Sequence, residues 1–593
     1  MNRIYFFCIA TIIVGGSFTR SLAQQEPFKL LSDVHIPMRD GVTLSADVVI
    51  PMNTTKAPVV FALSPYATER KLMHVYRFSS SYGFVMVWVN NRGRGLSQGD
   101  FKPFENEVND TYDIIDWISK QTWCNGEVGM GGGSYLGFVQ WAATKKIHPN
   151  LRTIAPMVAV APGIDFPMTN NIFMGYWLRW LNYTTNEPFS NDVYFQDNKH
   201  WYNLYNSYYR KGVPFLQLDS LDGNVKGAFK KALAHPAYDS YWSALIPSTP
   251  EEFKNIKIPI LTITGYFDSD QRGAIHYYNM HQRYGDPAFT KNHYLLIGPY
   301  THSGAQTLPS AKVGNFKIDS AAIINMYALA FDWQDHILND KPRPEILKDK
   351  VNCFVLGSGW KHSATLKDLS PDTLKLFLDG TNNKFKQLKG QQSPKASFAE
   401  IQYHSAITND TIDVSKHSPV LEEEEVNGFF DEGYLERTHQ IIFDSEPLSE
   451  NMELIGSPVG DLFLQVKNFR DIDFAIEFYE VDAKGESYLL SQQIQRGSYA
   501  RSMSKRELLK SGADYHLSLS NTYFMAKHIE KGSRIRFVFR ILNSPLWQKN
   551  YGSGKDVSKE TKEDAMEGVI KLLMDKKHPS AILLPGKISN VKS

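Results

Sequence analysis

Val128-Gly129-Met130-Gly131-Gly132-Gly133-Ser134-Tyr135-Leu136-Gly137 runs from a short apolar stretch into a dense set of glycines and leaves as the helix-like segment Phe138 to Thr144. A strand that enters a sharp turn and exits as a helix describes a nucleophile elbow. There a serine sits on a strained turn with its hydroxyl exposed, and only small neighbours leave room for it. Ser134 is therefore the candidate nucleophile, although the glycine expected two positions after the serine stands one later, at Gly137. A phosphate-binding turn is the competing reading, and its patterns fail. Gly131-x-Gly133 needs glycine at 136 and finds Leu136; Gly93-x-Gly95 needs glycine at 98 and finds Gln98; Gly554-Lys555 has Lys549 where the first glycine belongs.

On either side of the elbow, strand and helix alternate from about Phe28 to Pro162. Apolar runs at Leu44 to Ile50, Val59 to Leu63, Val85 to Val89 and Ile154 to Val160 surround a helical pattern at Glu107 to Gln121. Such alternation implies a mostly parallel sheet covered on both faces. Residues 165–250 break the rhythm with 19 aromatic residues at helix-like spacing, including Tyr176-Trp177-Trp180. The rhythm resumes with Ile258 to Thr264 and His293 to Ile297. From Val351 to Leu356 onward, closely spaced strands suggest an antiparallel sandwich. The expected organisation is an α/β-hydrolase domain in two parts, 28–163 and 251–345, with a helical cap inserted at 164–250. A C-terminal all-β jelly-roll domain follows at 346–593.

The chain has 593 residues, 42% hydrophobic and 21% charged, with 64 Lys+Arg against 63 Asp+Glu. This composition excludes a disordered chain, and the charge balance gives no overall field for nucleic acid or anionic lipid. Met1-Asn2-Arg3, the apolar run Ile4 to Gly15 and the small residues ending at Ala23 match a cleavable signal peptide at 1–23. The run is too short to span a bilayer, and no other segment approaches the roughly 20 apolar residues a span requires. Cleavage removes Arg3 and Arg20 and no acid, taking the formal charge from +1 to −1. A secreted or periplasmic protein is expected, with no membrane partner after cleavage. Cys124 and Cys353 then remain, read as lying in a loop and in a strand of different domains. The acidic run Glu422-Glu423-Glu424-Glu425 reads as a solvated loop or helix face.

A serine nucleophile needs a general base, and the base needs a carboxylate to hold its tautomer. Ile260-Leu261-Thr262-Ile263-Thr264-Gly265-Tyr266-Phe267-Asp268 places an acid just past an apolar strand, and Tyr294-Leu295-Leu296-Ile297-Gly298-Pro299-Tyr300-Thr301-His302 places an imidazole the same way. The order Ser134, Asp268, His302 is that of α/β-hydrolases, with Asp270 competing for the acid. For the oxyanion, the Tyr135 amide is the expected first donor. Ser64-Pro65-Tyr66 lies where a second should come from, but Tyr66 alone, one of 30 tyrosines, reads as a loop residue.

These segments together, with Arg39-Asp40-Gly41-Val42, Asn91-Arg92-Gly93-Arg94-Gly95-Leu96-Ser97-Gln98-Gly99, Trp123-Cys124-Asn125-Gly126 and Asp471-Ile472-Asp473-Phe474, resemble the cocaine esterase, α-amino-acid ester hydrolase and Xaa-Pro dipeptidyl-peptidase family. The displaced glycine and the tyrosine after the serine are features of that family. The resemblance implies Ser134 as nucleophile, His302 as base, Asp268 as its orienter, and Tyr66 hydroxyl with the Tyr135 amide as oxyanion hole. It implies no cofactor and no metal. The implied substrate is a small ester or amide, or a short peptide, cleaved through an acyl-enzyme. Asp270 and Trp177 are the candidate substrate-binding residues. Asp270 could meet a substrate ammonium, but Thr169-Asn170-Asn171-Ile172-Phe173 offers amides where that subgroup leads one to look for further acids. Within enzymes the alternatives are a carboxylesterase, a β-lactam or glutaryl acylase, an α-amino-acid ester hydrolase and a dipeptidyl-peptidase. Outside them stands a catalytically silent ligand-binding protein. Homo-oligomerisation is left open by the sequence.

Overall fold

The computed structural model describes residues 26–69, 72–380, 387–390, 397–408 and 439–588. The signal-peptide segment and the acidic run lie outside them. Ten strands form one sheet: β1 (Phe28–Pro37), β2 (Thr43–Pro51), β3 (Ala57–Ser64), β4 (Val85–Asn90), β5 (Cys124–Gly133), β6 (Leu151–Met157), β7 (Ile260–Gly265), β8 (His293–Gly298), β9 (Val351–Val355) and β10 (Gly359–Ser363). Their spatial order is β1-β2-β4-β3-β5-β6-β7-β8-β9-β10. The strands from β4 through β3 to β9 pair in parallel, with antiparallel pairs at both edges. β3 and β7 are buried at every residue. Near-continuous apolar runs of this kind are what a parallel sheet covered on both faces requires.

The connections include α1 (Met73–Ser81), α2 (Glu107–Ser119) and α3 (Tyr135–Lys145). Between β6 and β7 the chain leaves the sheet and forms α4 (Tyr176–Thr185), α5 (Asp192–Phe195), α6 (Asn198–Lys211) and further short helices up to Lys254. On its return it adds α7 (Gln271–Tyr284) and α8 (Met326–Leu338).

The C-terminal region is a separate all-β unit built almost wholly from antiparallel pairs, for example Asp473–Val481 between Ser487–Arg496 and Arg534–Ile541. The expected boundary at 346 is followed by a strand that pairs with the first sheet. Val351–Val355 pairs in parallel with β8, through Leu295 with Val351 and Ile297 with Cys353. An apolar run of five residues satisfies a parallel sheet as well as a sandwich, so its periodicity does not say which sheet receives it. The first sheet therefore runs to Ser363. Cys124 and Cys353 consequently both lie in this sheet, on β5 and β9, buried and free.

The β unit is anchored by buried polar groups. Arg496 donates from Nε and Nη2 to Asp473 (3.0 and 2.9 Å) and from Nη1 to the carbonyl of Asn171 (2.7 Å), ahead of α4. Gln271, at the start of α7, exchanges two hydrogen bonds with the backbone of Phe524, and Tyr523 Oη donates to the Ser269 carbonyl at 3.2 Å. The loop that carries Asp268 is thus held from the β unit.

Candidate active site

Ser134, Asp268, His302 and Tyr66 follow β5, β7, β8 and β3, all at the carboxyl ends of parallel strands, where open α/β sheets bind ligands. Ser134 has φ 59°, a conformation a non-glycine residue adopts only when its surroundings impose it. Its amide donates to the Met157 carbonyl on β6 at 3.0 Å, and its carbonyl accepts from Phe138 as α3 begins. The displaced glycine has a steric cause. A Cβ at Gly137 would stand 2.8 Å from both the Met157 carbonyl oxygen and Ala159 Cα, so the first turn of α3 lies against backbone.

His302 Nδ1 lies 2.9 Å from Asp268 Oδ1 and 3.4 Å from Asp270 Oδ2. The proton shared with Asp268 fixes the tautomer that leaves Nε2 as acceptor. The Asp270 amide donates to Asp268 Oδ1 at 3.0 Å. Burial alone would push the imidazole pKa down, but Asp268 and then Asp270 outweigh it and raise it to about 9. Burial raises Asp270 to about 7, with His302 opposing and Asp268 reinforcing that shift. Ligand atoms of these three residues lie within 4.8 Å of one another, close enough to hold a cation.

Tyr66 is held against the elbow. Burial raises its pKa to about 12, partly offset by hydrogen bonds with Trp180, Ser134 and the backbone N–H of Tyr135. Trp180 Nε1 donates to its hydroxyl at 3.2 Å. The phenol and the Tyr135 amide therefore converge beside Ser134. Tyr135 is fixed in turn by its own hydroxyl, which donates to Glu107 Oε1 at 2.5 Å and accepts from the Phe104 amide at 2.9 Å. Burial raises the Glu107 carboxyl to about 7, a shift its bond with Tyr135 opposes.

All these groups except Asp268 and Glu107 open onto one cavity of about 610 Å³. Seven of the 19 aromatic residues in 165–250 line it; the rest pack elsewhere. Trp177 requires a correction: it does not line the cavity. On α4, Tyr176, Trp180 and Tyr183 share the cavity face at helical spacing, whereas Trp177, 2% exposed, packs behind them on Phe166 and Trp180. Asp270 does line the cavity, and so does Asp165, which the sequence reading missed. Burial and the Asp270 charge raise the Asp165 carboxyl well above its usual range, opposed by amide donors from Ala161 and Gly273 and by Arg272. A signal was present in the sequence: Asp165 is the only charged residue between Arg152 and Arg179. Gln492, Ile494, Tyr523 and Trp547 bring the β unit into the wall.

Residues 40–304 match the family described as X-Pro dipeptidyl-peptidase (S15 family), and residues 347–583 match its C-terminal non-catalytic domain. Together the two matches span most of the chain. A cocaine esterase from Rhodococcus sp. (strain MB1 Bresler) is 23% identical over 94% of this chain and 98% of its own length. The chain belongs to the S15 family. It is a serine hydrolase of the group that joins cocaine esterase, α-amino-acid ester hydrolase and Xaa-Pro dipeptidyl-peptidase. Two solved structures share the fold of this S15 member. An aminopeptidase from a marine sediment Thaumarchaeota archaeon has TM-score 0.78 at 20% identity, covering 98% of this chain and 99% of its own. An α-amino-acid ester hydrolase has TM-score 0.76 at 20% identity, covering 97% and 100%. The second S15 match begins at 347 and so includes β9 and β10, which the structure places in the first sheet.

Proposed function

We propose that the protein cleaves small ester or amide bonds through an acyl-enzyme formed on Ser134. Ser134 Oγ attacks the carbonyl carbon while His302 Nε2 takes its proton, and Asp268 stabilises the imidazolium. The oxyanion is met by Tyr66 hydroxyl and the Tyr135 amide. As the tetrahedral intermediate collapses, His302 returns the proton to the leaving oxygen or nitrogen. Water then attacks the acyl-serine by the same route and releases the acid. The observation that carries this reading is the hydrogen-bonded series from Asp268 to His302, facing the cavity that also exposes the strained Ser134 and the Tyr66 phenol. The reading includes an α/β-hydrolase fold whose helices between β6 and β7 form a cap, and a jelly roll at the carboxyl end. It also includes export after removal of 1–23.

A fluorophosphonate probe tests the chemistry. Wild type should be labelled and Ser134→Ala should not. Equal labelling of both removes Ser134 as the nucleophile, and labelling of neither leaves a silent binding protein. A second reading, hydrolysis of α-amino esters, is favoured by Asp165 and Asp270 facing the cavity, since a substrate ammonium would draw both acids into their ionised forms. Comparing an aryl acetate ester with its α-amino counterpart in the same assay separates the two readings.

A further inference from the structure

Among the described residues, Arg179 on α4 is the only arginine or lysine in the cavity wall. The residue is 3% exposed. Its Nε donates to the Phe195 carbonyl and its Nη2 to Asn198 Oδ1, both at 2.8 Å, and its guanidinium lies 5.0 Å over the Phe195 ring. Every one of these partners is neutral. Nη1 donates to no group among the described residues, and none of their carboxylates lies within 4.0 Å of the guanidinium. Arg92 pairs with Asp110 and Asp40 and Arg496 with Asp473, whereas the buried Arg94 and Arg272, like Arg179, bond only neutral groups; unlike Arg179, neither of these two lines the cavity. A guanidinium does not neutralise itself by losing its proton, and a buried charge is ordinarily paired.

Because Arg179 faces the cavity, its counter-charge can be supplied by what fills that cavity. The side of the fork formed by Nη1 and the second N–H of Nη2 is planar and suits the two oxygens of a carboxylate. We propose that Arg179 is a carboxylate-binding residue, and that the substrate carries a carboxylate away from the bond being cleaved. Its place in the fold suits this role. The next residue, Trp180, touches Tyr66, and Tyr183 one turn on stacks on both Tyr66 (5.8 Å) and Phe195 (4.5 Å). Arg179 is thus separated from the oxyanion phenol by two aromatic rings, a remote subsite in the same chamber. The inference rests on the hydrolase reading for the cleaved bond, but not for the carboxylate itself.

The test compares esters that differ in one carboxylate. 4-Nitrophenyl butyrate against 4-nitrophenyl hydrogen glutarate places the charge on the acyl side, and phenyl acetate against 4-acetoxybenzoate places it on the leaving group. Wild type should prefer the charged member of one pair. In Arg179→Gln that preference, read as the ratio of kcat/KM values, should fall roughly tenfold or more, chiefly through KM. Arg179→Lys should keep part of it, and it serves alone if the Gln variant does not fold. A charged-to-neutral ratio unchanged in both variants, or absent from wild type in both pairs, overturns the proposal. An arginine that only braces α4 would lower both members of a pair equally. If no ester is cleaved and the fluorophosphonate does not react, the hydrolase reading fails separately. Calorimetric binding of glutarate and 4-hydroxybenzoate to wild type and the variants then decides: Arg179-dependent binding sustains the subsite, and its lack overturns it.

Discussion

On the floor of the cavity, each polar group with a proposed part in the chemistry leans on another: His302 on Asp268, Tyr66 on Trp180 and the Tyr135 amide, and Tyr135 on Glu107. On the roof, Arg179 leans only on neutral groups and, among the described residues, keeps one nitrogen unbonded. A reaction that repeats on many substrates needs its charges preorganised, because donors already in place need not reorganise as the transition state forms. Recognition can leave a charge waiting for its partner. The floor is therefore read as chemistry and the roof as selection, and substitutions on each should leave different kinetic marks.

The largest effect should come from the floor. Tyr66→Phe removes one of two proposed oxyanion donors and keeps the ring contacts with Trp180 and Tyr183. kcat should fall about 10²–10³-fold with little change in KM. A change confined to KM would move Tyr66 from floor to roof. Next comes Asp270→Asn, judged by its pH profile. Asp270 helps raise the His302 pKa to about 9, and the base acts only when unprotonated. Loss of the negative charge should lower that pKa and move the acid limb of kcat/KM about one unit toward lower pH. An unmoved or upward-shifted limb would show that Asp270 does not bear on the base. The smallest effect is expected from Trp180→Phe, at the seam between the regions. It deletes the 3.2 Å bond to Tyr66 and keeps an aromatic ring. At about 1 kcal/mol for such a bond, kcat should drop roughly fivefold. A loss as large as that of Tyr66→Phe would place Trp180 among the floor groups.

The floor was also the legible part. Its residues stand within a few positions of strand ends, so a run such as Ile260 to Gly265 announces an acid just beyond it, although the choice of Asp268 over Asp270 and the part given to Tyr66 come from the family resemblance. The roof gave no such announcement. Tyr176, Trp177 and Trp180 look alike in sequence, and only the rotation of α4 decides that Trp177 faces the core. Asp165 and Arg179 were passed over because a lone charge carries no periodicity, although both stand out in an otherwise uncharged stretch. The contribution of Gln492, Ile494, Tyr523 and Trp547 depends on how two domains dock, which no local pattern encodes.

The pairing of β9 and β10 with the first sheet bears on how the molecule can be cut apart. A fragment ending at Glu345 would strip β8 of its neighbour and leave its outer edge open, and unpaired edges recruit other chains. The workable cut for a transplant of the hydrolase body lies after Ser363. Even there, Leu356 is stitched to Ala526 and His528 through backbone hydrogen bonds, so a new tail would have to supply a strand of its own at that seam.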